Sequence, residues 1–183
     1  MSFVNDFSYI RHNADNEFLT TVYKMYDIHY PKFFKMDVLS KAGFLCAELL
    51  SGSLPKDRRN TGVIMMNSEA SAETDAKFEE TIRDPENNFP SPSLFVYTLP
   101  NIAAGEICIR HNLKGESCFF VFEKFSPKIF VDIVSDSLKF HDCLLACWAD
   151  SQKTVMFSVS EKPSGQKQLI FENQTVEKIY NKC

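Results

Sequence analysis

The chain has 183 residues, of which 44% are hydrophobic and 24% charged, and its formal net charge at pH 7 is −4. These values predict one folded domain spanning residues 1–183 and argue against intrinsic disorder. The acidic balance argues against a nucleic-acid partner, because binding to phosphates needs a basic face. The first residues lack the basic and apolar sections of a signal peptide, and no apolar run approaches the length of a membrane span, so we expect a cytoplasmic protein.

Six cysteines lie mostly within apolar stretches, and we expect them to be reduced thiols of the core: Cys46, Cys108, Cys118, Cys143, Cys147 and Cys183. Cys143 and Cys147 are four residues apart and could share one face of a helix. The local spacings of known metal sites are absent, so we predict neither a metal nor another cofactor.

Two helices and a strand are predicted in the first third of the chain. Helical spacing over Asn16–Ile28 indicates a helix whose apolar side holds Phe18, Val22 and Met25 or Tyr26. A second helix over Met36–Leu50 begins at Asp37, which is placed to cap it. The run "GVIMM" at 62–66 indicates a strand covered on both faces, and a short acidic helix follows, capped by Ser68 or Ser71.

The second half of the chain alternates further elements. A helix is predicted from Asn101 through "NIAAGEICIRHNL", followed by a strand over "SCFFVF" at 117–122. Ser126 and Pro127 mark the start of another helix, which we expect to continue to Asp150 as one element or as two. A third strand over "TVMFSVS", a hairpin turn at "KPSGQ" and the segment "KQLIFE" follow. The tail "QTVEKIYNKC" is either a short final helix or a fraying end.

The stretch from Lys114 to Val134 has the shape of a nucleophile elbow. It contains a tight glycine turn, an apolar strand, a short break and a helix, the arrangement that places a reactive side chain at a helix N-terminus. The break consists of Glu123, Lys124, Phe125 and Ser126, and none of these is a cysteine.

The segment "SPSLFVYTLPNIAAGEICIRHNLKGES" at 91–117 resembles the N-terminal half of β-ketoacyl-acyl-carrier-protein synthases, which belong to the thiolase-like superfamily. That family has a proline-bearing loop, an Asn, a helix with an Ala-Gly pair and a Gly-x-Ser turn. The matching residues are Pro100, Asn101, Ala104, Gly105, Gly115 and Ser117. The resemblance covers about Tyr30 to Glu161 and implies an α/β fold, the N-terminal half of a thiolase-like fold, with helices packed against a mixed sheet. The family's first strand is not evident before Tyr30.

The chain departs from this family at the nucleophile. Counting from Gly115, the position of the family's cysteine falls at or beside Lys124, where an amine would form a stable amide in place of a labile thioester. Ser126 is better explained as a helix cap. The family's two catalytic histidines belong to its C-terminal half, and the histidines of this chain lie outside matching motifs: His12, His29, His111 and His141. We therefore expect no catalytic residue.

The resemblance favours a non-catalytic partner protein, as in the family's nucleophile-deficient chain length factors. In the family, the strand before the nucleophile pairs across the two-fold axis of the dimer. Here that strand holds Cys118, Phe119, Phe120, Val121 and Phe122. The alternative is a central strand buried on both faces. A half-length fold is also expected to leave one sheet face uncovered, so we predict a homodimer or a heterodimer with a full-length ketosynthase.

Two other functions stay open at this point. A set of phenylalanines could line a tunnel that binds an acyl chain or an acyl carrier protein: Phe89, Phe95, Phe119, Phe120, Phe122, Phe125 and Phe130. Residual acyltransferase activity is the least favoured, because Glu123 and Lys124 would point to opposite sides of an extended strand. Fatty acid, polyketide and aryl-polyene or pigment assembly all use this family, and the sequence does not discriminate among them.

Overall fold

The fold is a mixed β-sheet with helices on both faces. The computed structural model describes residues 1–86, 88–162 and 169–183, which form six strands and seven α-helices. The strands are β1 (Phe3–Arg11), β2 (Thr61–Asn67), β3 (Ser117–Val121), β4 (Cys143–Ala149), β5 (Lys153–Ser160) and β6 (Leu169–Ile170). The α-helices are α1 (Asn16–Met25), α2 (Val38–Leu49), α3 (Ala72–Glu80), α4 (Pro92–Tyr97), α5 (Asn101–His111), α6 (Pro127–Ser137) and α7 (Asn173–Lys182).

The strand order is β3-β2-β4-β5-β1-β6. Strand β2 runs parallel to both β3 and β4, whereas β5 lies antiparallel between β4 and β1. The short β6 pairs only with Phe3 and Val4 of β1. The carboxyl ends of the parallel strands β2, β3 and β4 therefore lie at the same end of the sheet. Strand β3 is one of the two edge strands.

Strand β1 corrects one expectation, because a first strand does exist before Tyr30. Burial alternates along part of it, with Val4, Ser8 and Ile10 buried and Asp6 and Tyr9 exposed. The polar side chains Asp6 and Ser8 interrupt the apolar run by which a strand is recognised. They are tolerated because β1 lies near the side of the sheet.

Strand β4 corrects a second expectation, because the predicted long helix ends at Ser137. A 3-10 turn over Leu138–Phe140 follows, and Cys143–Ala149 is a strand with every residue buried. Leu and Ala favour helices in isolation, but the segment lies between β2 and β5, where the surrounding sheet overrides local propensity. Cys143 and Cys147 thus share a strand face, not a helix face.

Two apolar cores lie on the two faces of the sheet. One is packed by α1, α2 and α5, and the other by α6 and α7. The expectation that one face would be uncovered is therefore wrong, because Phe171, Val176 and Ile179 close the second core. On α1 the buried side chains are Leu19 and Tyr23.

The predicted apolar side of α1 is wrong for most of its members. The side chain of Phe18 is 42% exposed and that of Met25 is 72% exposed. Both sets of residues have helical spacing, and the aromatic stacking of Tyr23 on Phe33, with ring centroids 4.2 Å apart, fixes which set faces the core.

Several local predictions are confirmed. All seven residues of β2 are buried, and Asp37 caps α2 by accepting the Ser40 N–H at 2.9 Å. The helix from Asn101, the helix after Ser126 and the C-terminal helix are present. Ser71 precedes α3, but its hydroxyl accepts no capping hydrogen bond and donates to the Thr98 carbonyl at 2.7 Å. The predicted turn at "KPSGQ" lies, after Lys162, outside the described residues.

Candidate functional site

The candidate site is the bend that joins β3 to α6, at the carboxyl ends of the parallel strands. The Phe122 N–H still donates to the Asn67 carbonyl at 2.9 Å, so pairing with β2 continues one residue past β3. The chain then bends at Glu123 and Lys124 and enters α6. The Ser126 hydroxyl caps this helix by accepting the Ile129 N–H at 3.4 Å, and Pro127 is its first residue. The strand, break and helix follow the path that the sequence predicts.

The four residues of the bend provide no reactive pair. Glu123 and Lys124 are exposed, and neither lies within 4.0 Å of an opposite charge in the part of the chain that the structure describes. Phe125 turns inward and stacks on Tyr180, with ring centroids 3.8 Å apart. The cleft lined by Phe122, Ser126 and their neighbours has a volume of about 0 Å³. This cleft between the bend and the core is therefore closed.

An aromatic cluster fills the space under the bend. The Phe125 ring meets the edge of Trp148, with centroids 5.2 Å apart, and lies 5.8 Å from the Phe130 ring. Burial, followed by the charge of Asp150, raises the pKa of Tyr180 to about 12. This cluster connects the bend to α7 by packing, which is a structural role.

Polar contacts hold the outer side of Tyr180. The Lys153 ammonium lies 3.6 Å from the centroid of the Tyr180 ring and donates to the Tyr180 carbonyl at 2.7 Å. Asp150 accepts the Trp148 indole N–H at 3.1 Å and the Tyr180 hydroxyl at 3.5 Å. Tyr180 therefore lies between an ammonium and an aromatic ring, and α7 is fixed at the bend.

None of the six cysteines lies at the bend. Burial raises the pKa of the Cys46 thiol to about 12 and holds that of Cys147 well above its ordinary value. A thiol of raised pKa is almost wholly protonated near pH 7, and the protonated form is a poor nucleophile. Cys118 is exposed on β3, one strand length before the bend.

Two histidines use both ring nitrogens in structural hydrogen bonds. His12 Nδ1 accepts the Ala14 N–H at 3.1 Å, which assigns the proton to Nε2, 3.2 Å from the Thr154 hydroxyl. Burial lowers the pKa of His12. His141 Nδ1 lies 2.8 Å from the Ser137 carbonyl, and its Nε2 accepts the Glu116 N–H at 3.3 Å. Both imidazoles are thus held in place by these contacts.

The seven phenylalanines proposed for a tunnel do not lie around one space. Phe119 packs against the core of α1, α2 and α5, whereas Phe120, Phe122 and Phe130 pack on the opposite face of the sheet. Phe89 is 75% exposed. Since the sheet separates these side chains, they cannot line one tunnel within this chain.

Strand β3 is an edge strand of the sheet. The interpretation of it as a central strand buried on both faces is therefore wrong. It pairs with β2 alone among the described residues. The Glu116 carbonyl and the Phe122 N–H both bond to β2, so by the alternation of a strand the backbone groups of Ser117, Phe119 and Val121 point away from the sheet. Cys118 is exposed, and Val121 is 52% exposed. We call this free side of Ser117–Val121 the β3 edge.

Exposed apolar side chains occur on the helices next to the β3 edge. Helix α5 packs against β3, and α4 packs against α5. Ile109 of α5 is 66% exposed, and Phe95 and Leu99 are 54% and 48% exposed. Nothing lies within 4 Å of the position that a Cβ atom on Gly105 would take, so the outer side of α5 is open. Exposed apolar side chains thus occur on α5, which contacts β3, and on the segment that packs against α5.

No family model matches the sequence, and no curated protein matches it either. Solved structures do match the fold. The ishigamide ketosynthase/chain length factor is similar over 91% of this chain and 63% of its own, at 14% identity and a TM-score of 0.67. A chain of the complex of the ketosynthase ApeO with its chain length factor ApeC from Xenorhabdus doucetiae is similar over 90% and 81%, at 10% identity and a TM-score of 0.60.

A third similar structure is AntDE:AntF, described as a type II PKS acyl-carrier protein in complex with its ketosynthase bound to the hexaketide. It matches over 88% of this chain and 62% of its own, at 12% identity and a TM-score of 0.60. This chain spans less than two thirds of the length of the ishigamide and AntDE:AntF chains that it matches. The fold is therefore the one found in ketosynthase and chain length factor structures, as the sequence resemblance implied.

Two further findings concern the described residues. No group of three or more His, Cys, Asp or Glu side chains among residues 1–86, 88–162 and 169–183 is placed to hold a metal ion. In the same part of the chain, no helix has the length and apolar character needed to cross a bilayer.

Proposed function

We propose that this chain is a non-catalytic partner subunit of the chain-length-factor type, which associates with a ketosynthase-like chain through the β3 edge. The partner is either a second copy of this chain or a full-length ketosynthase. The assembly would act in biosynthesis of the fatty acid or polyketide type. The open β3 edge is the single observation that carries this proposal.

The geometry of β3 suits the addition of a strand from another chain. An uncovered strand presents a row of backbone N–H and C=O groups that another strand can pair with. Here those groups belong to Ser117, Phe119 and Val121, and no charged side chain occurs from Ser117 to Phe122. Association would satisfy these backbone groups and cover exposed apolar side chains of α4 and α5, which is the usual composition of an interface core.

The chemistry of the bend supports the non-catalytic part of the proposal. Acyl transfer through an enzyme-bound intermediate needs a nucleophile activated by a base or by a lowered pKa. Lys124 is exposed with no base beside it among the described residues, and the Phe125 ring stacks on Tyr180 in the space below. The cleft at the bend has a volume of about 0 Å³, so acyl-chain binding by this chain alone is not part of the proposal.

The experiment compares two substitutions of the same kind on opposite sides of the sheet. Val121→Lys places a charge on the β3 edge, and Tyr9→Lys places one on β1, where the wild-type side chain is 49% exposed. Each variant serves as bait for affinity capture from the native host, with mass spectrometry to identify the captured protein. Sedimentation at micromolar concentration reports self-association of the same samples.

We expect the wild-type chain and Tyr9→Lys to recover a ketosynthase or to form a homodimer, and Val121→Lys to lose that association by at least about tenfold. A monomer that captures no ketosynthase would contradict the proposal. Equal association of both lysine variants would show that the β3 edge is not the interface.

A further inference from the structure

A basic groove, open to solvent, lies at the opposite end of the parallel strands from the bend. It is formed by the loop before β2 and the turn between α5 and β3, and its volume is about 530 Å³. Its lining consists of Lys56, Asp57, Arg58, Arg59, Asn112 and Lys114. We call this group the basic shelf.

The charge of the basic shelf contrasts with that of the rest of the chain. Four cations and one carboxylate give it a net charge of +3, so the remaining residues carry −7 of the total of −4. In the described residues, no carboxylate lies within 4.0 Å of the side-chain nitrogens of Lys56, Arg58 or Lys114. An anion in this groove would therefore meet cations that internal ion pairs do not already neutralise.

Hydrogen bonds hold the frame of the shelf. Arg58 Nη1 donates to the His111 carbonyl at 2.8 Å, and the Arg58 carbonyl accepts the Lys114 N–H at 3.1 Å. The Gly115 N–H donates to the Thr61 carbonyl at 3.0 Å. These contacts fix the loop against the α5–β3 turn, so an anion would not have to order the backbone.

Neutralisation of the α5 C-terminus explains only part of this charge. A cation near the last carbonyls of a helix is favourable, and Arg58 fills that role through its contact with His111. The ammonium groups of Lys56 and Lys114 make no hydrogen bond or ion pair with the described residues, although both line the same groove. Both ammonium groups are exposed and can therefore contact an anion bound in this groove.

Asp57 places a negative charge within the basic shelf. It accepts Arg59 Nε at 3.1 Å and Nη2 at 2.7 Å, and Arg59 Nη1 makes no hydrogen bond within the described part of the chain. The contact with Arg59 holds the pKa of Asp57 at about 2, so this carboxyl stays ionised near pH 7. It opposes an incoming anion, and its removal would release the whole Arg59 guanidinium.

We propose that the basic shelf binds a small phosphate-bearing ligand, such as a diphosphate. A tetrahedral phosphate offers several oxygens to separate cations, and arginine and lysine together are common phosphate ligands. The groove is open to solvent, and its volume of about 530 Å³ leaves room for a ligand larger than a single ion. This inference does not depend on the proposed partner function, because the basic shelf lies at the start of the parallel strands and the bend lies at their end.

The test titrates inorganic pyrophosphate into the full chain at low salt and follows backbone amide chemical shifts. We expect saturable shifts at residues 56–59 and 112–114. The double variant Lys56→Gln, Lys114→Gln should weaken binding at least about tenfold. The matched control is Lys24→Gln, Lys35→Gln, which removes the same charge from two exposed lysines elsewhere and should change binding less than about twofold.

A variant that should bind pyrophosphate more tightly provides a second test. Asp57→Asn should tighten pyrophosphate binding severalfold, since it removes the opposing carboxylate and frees Arg59. Shifts that do not saturate, or equal weakening by both lysine pairs, would reduce the shelf to non-specific charge and overturn the inference. Saturable shifts with polyglutamate but not with pyrophosphate would also overturn it, in favour of an acidic protein partner.

Discussion

The two edges of the sheet differ in how open they are to pairing with a strand from another chain. On the β1 side, the register shifts between Val4 and Asp6, β6 covers Phe3 and Val4, and Arg11 bonds to the carbonyl of Cys183 at the end of α7. Bulges, charges and short covering strands are the features by which proteins prevent unwanted strand pairing. The β1 edge thus carries features that limit strand pairing, which shows that this chain does not leave both edges of its sheet exposed.

The β3 side has none of these protections among the described residues. Its register with β2 is regular, it carries no charge between Ser117 and Phe122, and it ends at a bend that has no cysteine. One edge of the sheet is therefore protected over part of its length, and the β3 edge is open. This asymmetry is the structural basis for a partner at β3.

The largest expected effect comes from disturbing the start of β3. A Cβ atom on Gly115 would lie 2.7 Å from the Thr61 carbonyl and 2.8 Å from the Gly62 nitrogen, both of them backbone atoms. Gly115→Ala should lower the free energy of unfolding by about 2–4 kcal/mol, measured by urea denaturation, because the β2–β3 junction must shift. Gly52→Ala is the control, since nothing lies within 4 Å of its Cβ position. Equal stability of the two variants would contradict this packing.

The next effect concerns the end of β3. Phe125→Ala removes the stack on Tyr180 and the contact with Trp148, and should lower the free energy of unfolding by about 2–3 kcal/mol. Phe140→Ala is the matched control, because that ring is 77% exposed and should change stability by less than about 0.5 kcal/mol. If Phe125→Ala behaved like Phe140→Ala, the aromatic cluster would not hold the bend.

A smaller effect separates association from stability. Nothing lies near the Cβ position of Gly105 on the open side of α5, so Gly105→Ala should stabilise the monomer by about 0.5–1 kcal/mol through helix propensity. Gly105→Trp at the same position should weaken association while leaving the monomer folded, as measured by sedimentation and circular dichroism. Unchanged association of the Trp variant would exclude α5 from the interface.

The smallest effect is a pH dependence at the end of β1. Burial lowers the pKa of His12, so the folded state favours the neutral imidazole. The resulting stability is fully present above the unfolded-state pKa of about 6.5 and is lost as the pH falls below it. His12→Gln should therefore reduce the loss of urea stability between pH 7 and pH 5, whereas His29→Gln, at an exposed position, should not. A loss of stability as large in His12→Gln as in the wild type would refute this role.

Local signals in the sequence predicted the elements that local chemistry determines. The caps at Asp37 and Ser126 and the buried run of β2 depend on neighbouring residues, and each is present. Strand β4 was missed, because "CLLACWA" has no strand alternation and its conformation depends on pairing with β2 and β5. The sequence did not indicate strand β1, because Asp6 and Ser8 interrupt its apolar residues.

The candidate site was predicted in part. The bend and its four residues follow from the sequence, since a strand, a break and a capped helix are consecutive in the chain. The stack of Phe125 on Tyr180 joins residues that are far apart in sequence, and no local pattern indicates it. The outer position of β3 likewise depends on strand order, which hydrophobic spacing does not encode. The basic shelf combines "KDRRN" with Asn112 and Lys114 and is visible only after folding.

The most direct test of the central claim is amide hydrogen exchange along β3, free and in complex with the captured partner. In the dilute chain, the N–H groups of Ser117, Phe119 and Val121 should exchange fast, and those of Cys118, Phe120 and Phe122 slowly, because only the latter bond to β2. In the complex, we expect the fast set to become protected. A complex that leaves these three amides fast, or that protects β1 in their place, would contradict association through the β3 edge.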